Sequence, residues 1–369
     1  MRVHRLPDSA RLIESNLNAT SITPWVHRDG LRRFVHLPAL LHLNYEISTD
    51  TERSRTMDKL LETYENIDIW RDPCILKLVA NAAPTDKIYK VAMSRKTHSQ
   101  DEIRRFYGKA NHMNSELGPW AVEYYINSSI HKLREALTSA RDVLYGWNND
   151  EKEYLHDVLV QNLPSDRVCP LSRDVPPMAS AKVEKLIEFL SIQRDTQFSG
   201  IIFVEQRATA AMLHQLLLVH PKTKHLSCAT FVGTSNSSNR KASIGDLVDV
   251  GQQSHALDDF RFGKRNLIIA TSVLEEGIDI SSCNLVVCFN KPANIKSFIQ
   301  RRGRARDSHS VFVIMLSQED VLLKGQRWQE LEEAMIRAFQ EERSEQQLML
   351  QREDIPEQGQ RRFEVESTG

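Results

Sequence analysis

The chain has 369 residues, 41% of them hydrophobic, and 48 Lys and Arg against 49 Asp and Glu leave a formal charge of −1. Such a length fits two or three domains, and the even balance excludes a global positive field that would gather a polyanion. Any contact with nucleic acid must therefore come from a local cluster. No apolar run approaches the length of a membrane span, so no membrane partner is expected. Residues 1–12, broken by Pro7, Asp8 and Arg11, lack the apolar core of a secretion signal. Five cysteines (Cys74, Cys169, Cys228, Cys283 and Cys288) form no C-x-x-C, and thirteen histidines form no H-E-x-x-H. Reduced thiols, an intracellular location and no bound metal in this chain are the expectation.

In chain order, residues 1–45 carry isolated signals (Asn16-Leu17-Asn18-Ala19, Pro24, Val26-His27-Arg28) without a sheet period, and read as a connector. From 46 to 165 the pattern is helical. Met57, Leu60, Leu61 and Tyr64 share one face, as do Val122, Ile126, Ile130, Leu133 and Leu137. An all-α subdomain of four or five helices is expected here. Its aromatic residues Trp70, Tyr107, Trp120, Tyr124 and Tyr125 are expected in the core rather than as stacking platforms. Asp101-Glu102-Ile103-Arg104 reads as an exposed helix start.

Pro164, Pro170, Pro176 and Pro177 mark a linker. From 166 to 318 helices and strands alternate. Amphipathic Ser180–Ile192 leads to the strand Gly200–Val204, a helix through Met212 and Leu216, and the strand Cys228–Phe231. A long polar loop, 233–252, precedes a helix at Ala256 and strands at 267, 285 and 311. This alternation predicts crossover units on a parallel sheet, an α/β lobe of RecA-like topology. Residues 319–369 are expected to form a long C-terminal helix and tail, with Trp328, Leu331 and Met335 on one stripe.

Chemistry concentrates in two phrases. Leu267 to Ala270 is a short buried strand that runs into Thr271-Ser272-Val273-Leu274-Glu275-Glu276-Gly277-Ile278-Asp279, and ligands gather beyond the carboxyl ends of such strands. A helix through Phe298 then presents Gln300-Arg301-Arg302-Gly303-Arg304-Ala305-Arg306. Standing alone, the arginines would read as a solvated basic patch or a localisation signal.

Together the two phrases closely resemble motifs V and VI of the superfamily 2 RNA helicases, in wording typical of the Dicer and viral-RNA-sensor branch. The whole chain is most similar to fungal Dicer-like proteins of antiviral RNA silencing. The resemblance implies a helical insertion at 46–165, the second RecA-like lobe at 166–318 and the start of a pincer at 319–369, with 1–45 leading from a first motor lobe. It implies arginine fingers at Arg304 and Arg306 supported by Gln300, and ATP contacts at Gly277, Asp279, Arg302 and Gly303. Contacts to double-stranded RNA are implied at Arg207, Gly233, Thr234, Gln253, Thr271 and Ser272. An arginine finger works because its planar, permanent cation spans two phosphoryl oxygens.

No G-x-x-x-x-G-K-[ST] loop and no convincing D-E-x-[DH] box occurs, so ATP and Mg2+ are expected only together with the first lobe. The ribonuclease III portion of a full-length protein is the other implied partner. No ATP hydrolysis or RNA cleavage is expected of this chain alone, and the cytoplasm is the expected location, with the nucleus as the alternative. Two other readings stay open. One is a non-catalytic RNA-binding or protein-interaction module from a truncated gene, and the other a viral-RNA sensor or DNA-junction helicase of the same branch.

Overall fold

A computed structural model describes residues 15–16, 18, 36–47, 54–138, 146–163, 176–193, 197–233, 243–247, 255–275, 278, 280, 283–322, 328–334 and 336–337. The chain divides into two compact units. One comprises His36–Lys291 with Gln300–Val321, the other Met1–Val35, Pro292–Ile299 and Leu322–Gly369.

The first unit begins with strand β1, Ala39–Tyr45. The strand occupies the last seven residues of the expected 1–45 connector, a stretch with no sheet period in its sequence. Its sequence, Ala-Leu-Leu-His-Leu-Asn-Tyr, has no clean alternation because it is an edge strand with most side chains partly exposed. What holds it is pairing along its whole length with Val311–Ser317 near the other end of the sequence.

Six α-helices follow among the described residues, against the four or five expected: α1 Arg55–Glu65, α2 Pro73–Ala80, α3 Thr85–Ser94, α4 His98–Leu117, α5 Pro119–Thr138 and α6 Asn149–Asn162. The two extra ones, α2 and α3, are short, 8 and 10 residues, and mostly exposed. A side-chain cap opens α2, whereas α3 starts after Pro84 without one. Asp72 caps α2 through the Cys74 N–H, ahead of Pro73 at the first helical position. The same carboxylate accepts the hydroxyl of Thr97 at 2.6 Å, and Thr97 caps α4. Asn148 and Glu151 close a reciprocal capping box on α6. Four of the five flagged aromatics are buried or half-buried, with Tyr107 stacked on Tyr64 and Tyr124 on Trp120. Trp70 is the exception, 44% exposed with its edge against Tyr89.

The α/β part contains α7 Ala181–Ser191, β2 Gly200–Phe203, α8 Arg207–Val219, β3 Cys228–Phe231, α9 Ala256–Arg261, β4 Leu267–Ala270 and β5 Leu285–Cys288. Helix α10, Ile295–Arg302, then leads to β6 Val311–Ser317 and α11 Gln318–Leu322. All six strands are parallel in the order β1-β6-β5-β2-β4-β3. The predicted α/β lobe behind a helical subdomain is thus realised. Strands β2, β4 and β5 are buried at every residue, which is why their sequences are continuous apolar runs.

One hydrophobic core runs from Phe106 and Tyr125 in α4 and α5, through Leu213 and Leu216 in α8, to Ile202, Ile269 and Val287 in the sheet. Two polar joints flank it. At the α4–α5 corner, Gly118 takes φ +98 where a side chain would strike the Ala179–Ser180 backbone, and Leu117 and Glu116 carbonyls accept the Ser180 N–H and hydroxyl. Near the start of α4, Glu102 accepts both the Ser243 hydroxyl at 2.6 Å and the Ile244 N–H at 2.7 Å. Glu102 is 0% exposed. The expectation of an exposed helix start is corrected: Ser99, Gln100, Glu102 and Ile103 are buried, and of the Asp101–Arg104 phrase only Arg104 is exposed, because the Glu102 carboxylate is the acceptor that folds the Ser243–Leu247 turn onto the insertion. Lys109 to Asp246 and the Tyr125 hydroxyl to the Gly245 carbonyl complete that clasp.

In the second unit, Phe298 of α10 stacks on Trp328 with centroids 5.8 Å apart, and 328–334 are helical.

Candidate functional site

Strand order places the carboxyl ends of β2, β4 and β3 side by side, and each delivers a residue singled out from the sequence. After β2 comes Arg207, the exposed first residue of α8. After β4 come Thr271, only 8% exposed, and exposed Ser272. After β3 comes Gly233, where an added side chain would meet Val273 in van der Waals contact. The hydroxyls of Thr271 and Ser272 have no hydrogen-bond partner among the described residues. A row of short hydroxyls, an exposed guanidinium and open backbone is chemistry suited to phosphate and sugar oxygens. Thr234, Gln253, Gly277 and Asp279 lie outside the described residues.

The arginine row is divided in two by its contacts. Arg301, 5% exposed, turns inward: its Nε donates to Glu275 at 2.8 Å, its Nη1 to the Asn290 carbonyl at 3.0 Å, and its guanidinium lies over the Phe203 ring. The expected pairing of the acidic step with neighbouring arginines is thus present for Glu275. Arg304, half-buried, donates to the Ile278 carbonyl at 2.7 Å and the Glu275 carbonyl at 3.0 Å, pinning the connection that follows Ser272–Leu274. Arg306 is exposed; its Nε donates to the Gly303 carbonyl, and its terminal nitrogens have no partner among the described residues. Gln300 and Arg302 are half-buried, and Gly303 forms the exposed turn between Arg302 and Arg304. Thus the structure brings Gln300, Arg302, Gly303, Arg304 and Arg306 together, with Arg306 the most open of them.

Beside this row sits a cluster that sequence reasoning missed. Glu116 at the end of α4 accepts from Lys182 Nζ at 2.7 Å and from the Asn290 side-chain amide at 2.8 Å. Lys182 is 5% exposed and packs 4.1 Å from the Phe289 ring centroid. Burial lowers its pKa while the Glu116 carboxylate raises it, and burial wins. Tyr45, at the end of β1, is pushed up to about 12 by burial and by the nearby carboxylates of Glu116 and Asp320. Burial also raises the Cys283 thiol to about 12 and Cys288 to about 11, so both remain protonated core residues at neutral pH. The only signals for the cluster were a lysine on the apolar face of α7 and an asparagine directly after a buried strand. Among the described residues no group of histidines, cysteines and carboxylates could hold a metal ion.

Residues 181–308 match the family described as helicase conserved C-terminal domain. Dicer-like protein 2 of Aspergillus terreus is 44% identical over 97% of this chain and 26% of its own length. The chain carries a helicase C-terminal domain and is similar to Dicer-like proteins. Dicer-like protein 2 of Aspergillus fumigatus, 41% identical, and Dicer-like protein 2-1 of Aspergillus niger, 40% identical, show the same shares, 97% and 26%. The chain thus spans about a quarter of the length of these curated relatives. A DEAD box protein from Methanococcus jannaschii covers 42% of this chain at 20% identity and a TM-score of 0.31, too weak a likeness to add to what the strand order shows. No helix among the described residues is long and apolar enough to cross a membrane.

Proposed function

We propose that this helicase lobe grips the backbone of double-stranded RNA and lends arginines to ATP hydrolysis by a Dicer-like motor in antiviral RNA silencing. The observation that carries the reading is the convergence of Arg207, Gly233, Thr271 and Ser272 on three adjacent strand ends, with Arg304 bonded to the Glu275 carbonyl in the loop that follows Thr271 and Ser272. In this reading residues 46–165 are the motor's insertion, 166–318 its second lobe and 319–369 its pincer, working in the cytoplasm. A first lobe would bring the phosphate loop and the Mg2+ ligand. ATP, when bound there, supplies the phosphoryl group. The open terminal nitrogens of Arg306 suit a phosphate oxygen, and Arg302 and Gln300 stand beside them.

Arg304 fits a second role better. Two of its donors hold main-chain carbonyls of the loop after Ser272–Leu274, so it acts first as a clamp that shapes the RNA-facing turn. Arg306, whose terminal nitrogens hold no carbonyl among the described residues, is the more open of the two for a finger role.

The test is fluorescence anisotropy of the chain with a labelled RNA duplex. Arg207→Ala is expected to weaken binding and lower the salt slope by about one, the signature of one lost phosphate contact. Thr271→Val is expected to weaken it less, with the melting temperature unchanged in both. Equal affinity for duplex DNA, or no loss in Arg207→Ala, contradicts the reading.

A further inference from the structure

Asn290 stands one residue beyond the fully buried Phe289, at the carboxyl end of β5, and every polar group of its side chain is engaged. Its Nδ2 donates to Glu116 Oε2 of the insertion at 2.8 Å. Its Oδ1 accepts the Glu205 N–H at 3.0 Å, two residues before Arg207 opens α8. Its carbonyl accepts Arg301 Nη1 at 3.0 Å, and Arg301 continues to Glu275 at 2.8 Å, three residues past Ser272. Around the Phe203 ring, these bonds therefore tie together the loops that leave β2, β4 and β5.

The chemistry demands an amide at this position. One arm must donate to a carboxylate and the other must accept a main-chain N–H, which the asparagine amide does and a carboxylate or an apolar side chain cannot. A carboxylate here would keep the second bond but face Glu116 with a like charge. An apolar side chain would leave Glu116 to Lys182 alone and orphan the Glu205 N–H. Glu116 is placed for the task because α4 ends there and the Gly118 turn is fastened to Ser180.

We propose that Asn290 is a positioning residue that locks the head of the Arg207 helix and the Arg301–Glu275 pair into one arrangement, with Glu116 of the insertion as its clamp. RNA contact at the strand ends and the set of the Gln300–Arg306 row then respond together. The inference rests on the RNA-binding reading above and deepens it.

Hydrogen exchange of the whole 369-residue chain, read by mass spectrometry with and without an RNA duplex, tests it. In the native sequence RNA is expected to slow exchange both in peptides covering Glu205–Ala208 and in peptides covering Gln300–Arg306. Asn290→Asp keeps the first effect, loses the second and weakens RNA binding about fivefold, within the range for directly coupled side chains. The pair Glu116→Gln with Asn290→Asp exchanges the amide and the carboxylate across the same bond and restores the second effect, which a general loss of stability would not do. Melting temperatures accompany each variant. Should Asn290→Asp not fold, the double variant carries the test by itself: it folds and regains RNA-dependent protection at 300–306 only if the bond is the joint. Protection at 300–306 that survives unchanged in Asn290→Asp, or that the double variant fails to restore, overturns the inference alone. If RNA slows exchange nowhere, the RNA-binding reading falls and this inference with it.

Discussion

The insertion and the sheet share one core but treat polar groups differently. In the insertion, the side-chain amide of Gln100, Asn114 Oδ1, Ser129 Oγ and His156 Nε2 are all buried without a hydrogen-bond partner among the described residues. In the α/β part, Thr209 Oγ1 is the one such atom in the same set. The buried polar residues at the sheet rim are bonded instead: Arg301 to Glu275 and Asn290, Lys182 to Glu116, and Asn284 to Ser199 and Gln197. A buried group without a partner costs about 1–3 kcal/mol. The difference teaches that the sheet rim is held by completed networks, whereas the insertion is held by its apolar contacts in spite of its polar ones.

Three substitutions sharpen or break that contrast. The largest loss is expected from Arg301→Ala, which takes the guanidinium away from Glu275, only 11% exposed, and empties the space over Phe203. Breaking a buried pair from one side costs about 3–5 kcal/mol, read as a fall in the urea midpoint. A loss under 1 kcal/mol would show that the rim network is ornamental. Next comes Glu102→Ala, at the seam between the two regions. It leaves the Ser243 hydroxyl and the Ile244 N–H without their acceptor, at about 2–3 kcal/mol, and frees the Ser243–Leu247 turn to exchange its amides faster. The smallest effect has the opposite sign. Gln100→Met removes a buried amide at nearly constant shape and is expected to raise stability by about 1 kcal/mol. A destabilised Gln100→Met would mean that the insertion's polar atoms are satisfied after all, and the contrast would dissolve.

Much of the fold was legible because its signals are local. Four of the buried strands are short β-branched runs closed by turn residues, and α1, α5 and α7 carry stripes at helical spacing. β1 was not legible, since an edge strand mixes exposed and buried positions and its partner lies far along the chain. Helices α2 and α3 were missed for a related reason: at 8 and 10 residues and mostly exposed, each has few buried positions to mark it. At the site, the arginine row and the Thr271–Ser272 turn could be read because they are contiguous phrases. Glu116, Lys182 and Asn290 could not. Each is an ordinary residue in its own neighbourhood, and only the folding of α4, α7 and β5 against one another makes them a cluster. Spacing likewise said nothing of how the arginines divide, with Arg301 facing inward and Arg306 facing out.

The pairing of β1 with β6 carries a consequence for how the molecule comes into being. Ala39 lies opposite Val311, and among the described residues β1 has no other neighbour in the strand order. During synthesis β1 therefore leaves the ribosome without a template, and some 270 residues must be made before its mate appears. Closure of so distant a ladder comes late and slowly, after the helices and inner strands have formed around their local contacts. A ribosome stalled before residue 311 would leave a bare strand exposed to chaperones or to a neighbouring nascent chain.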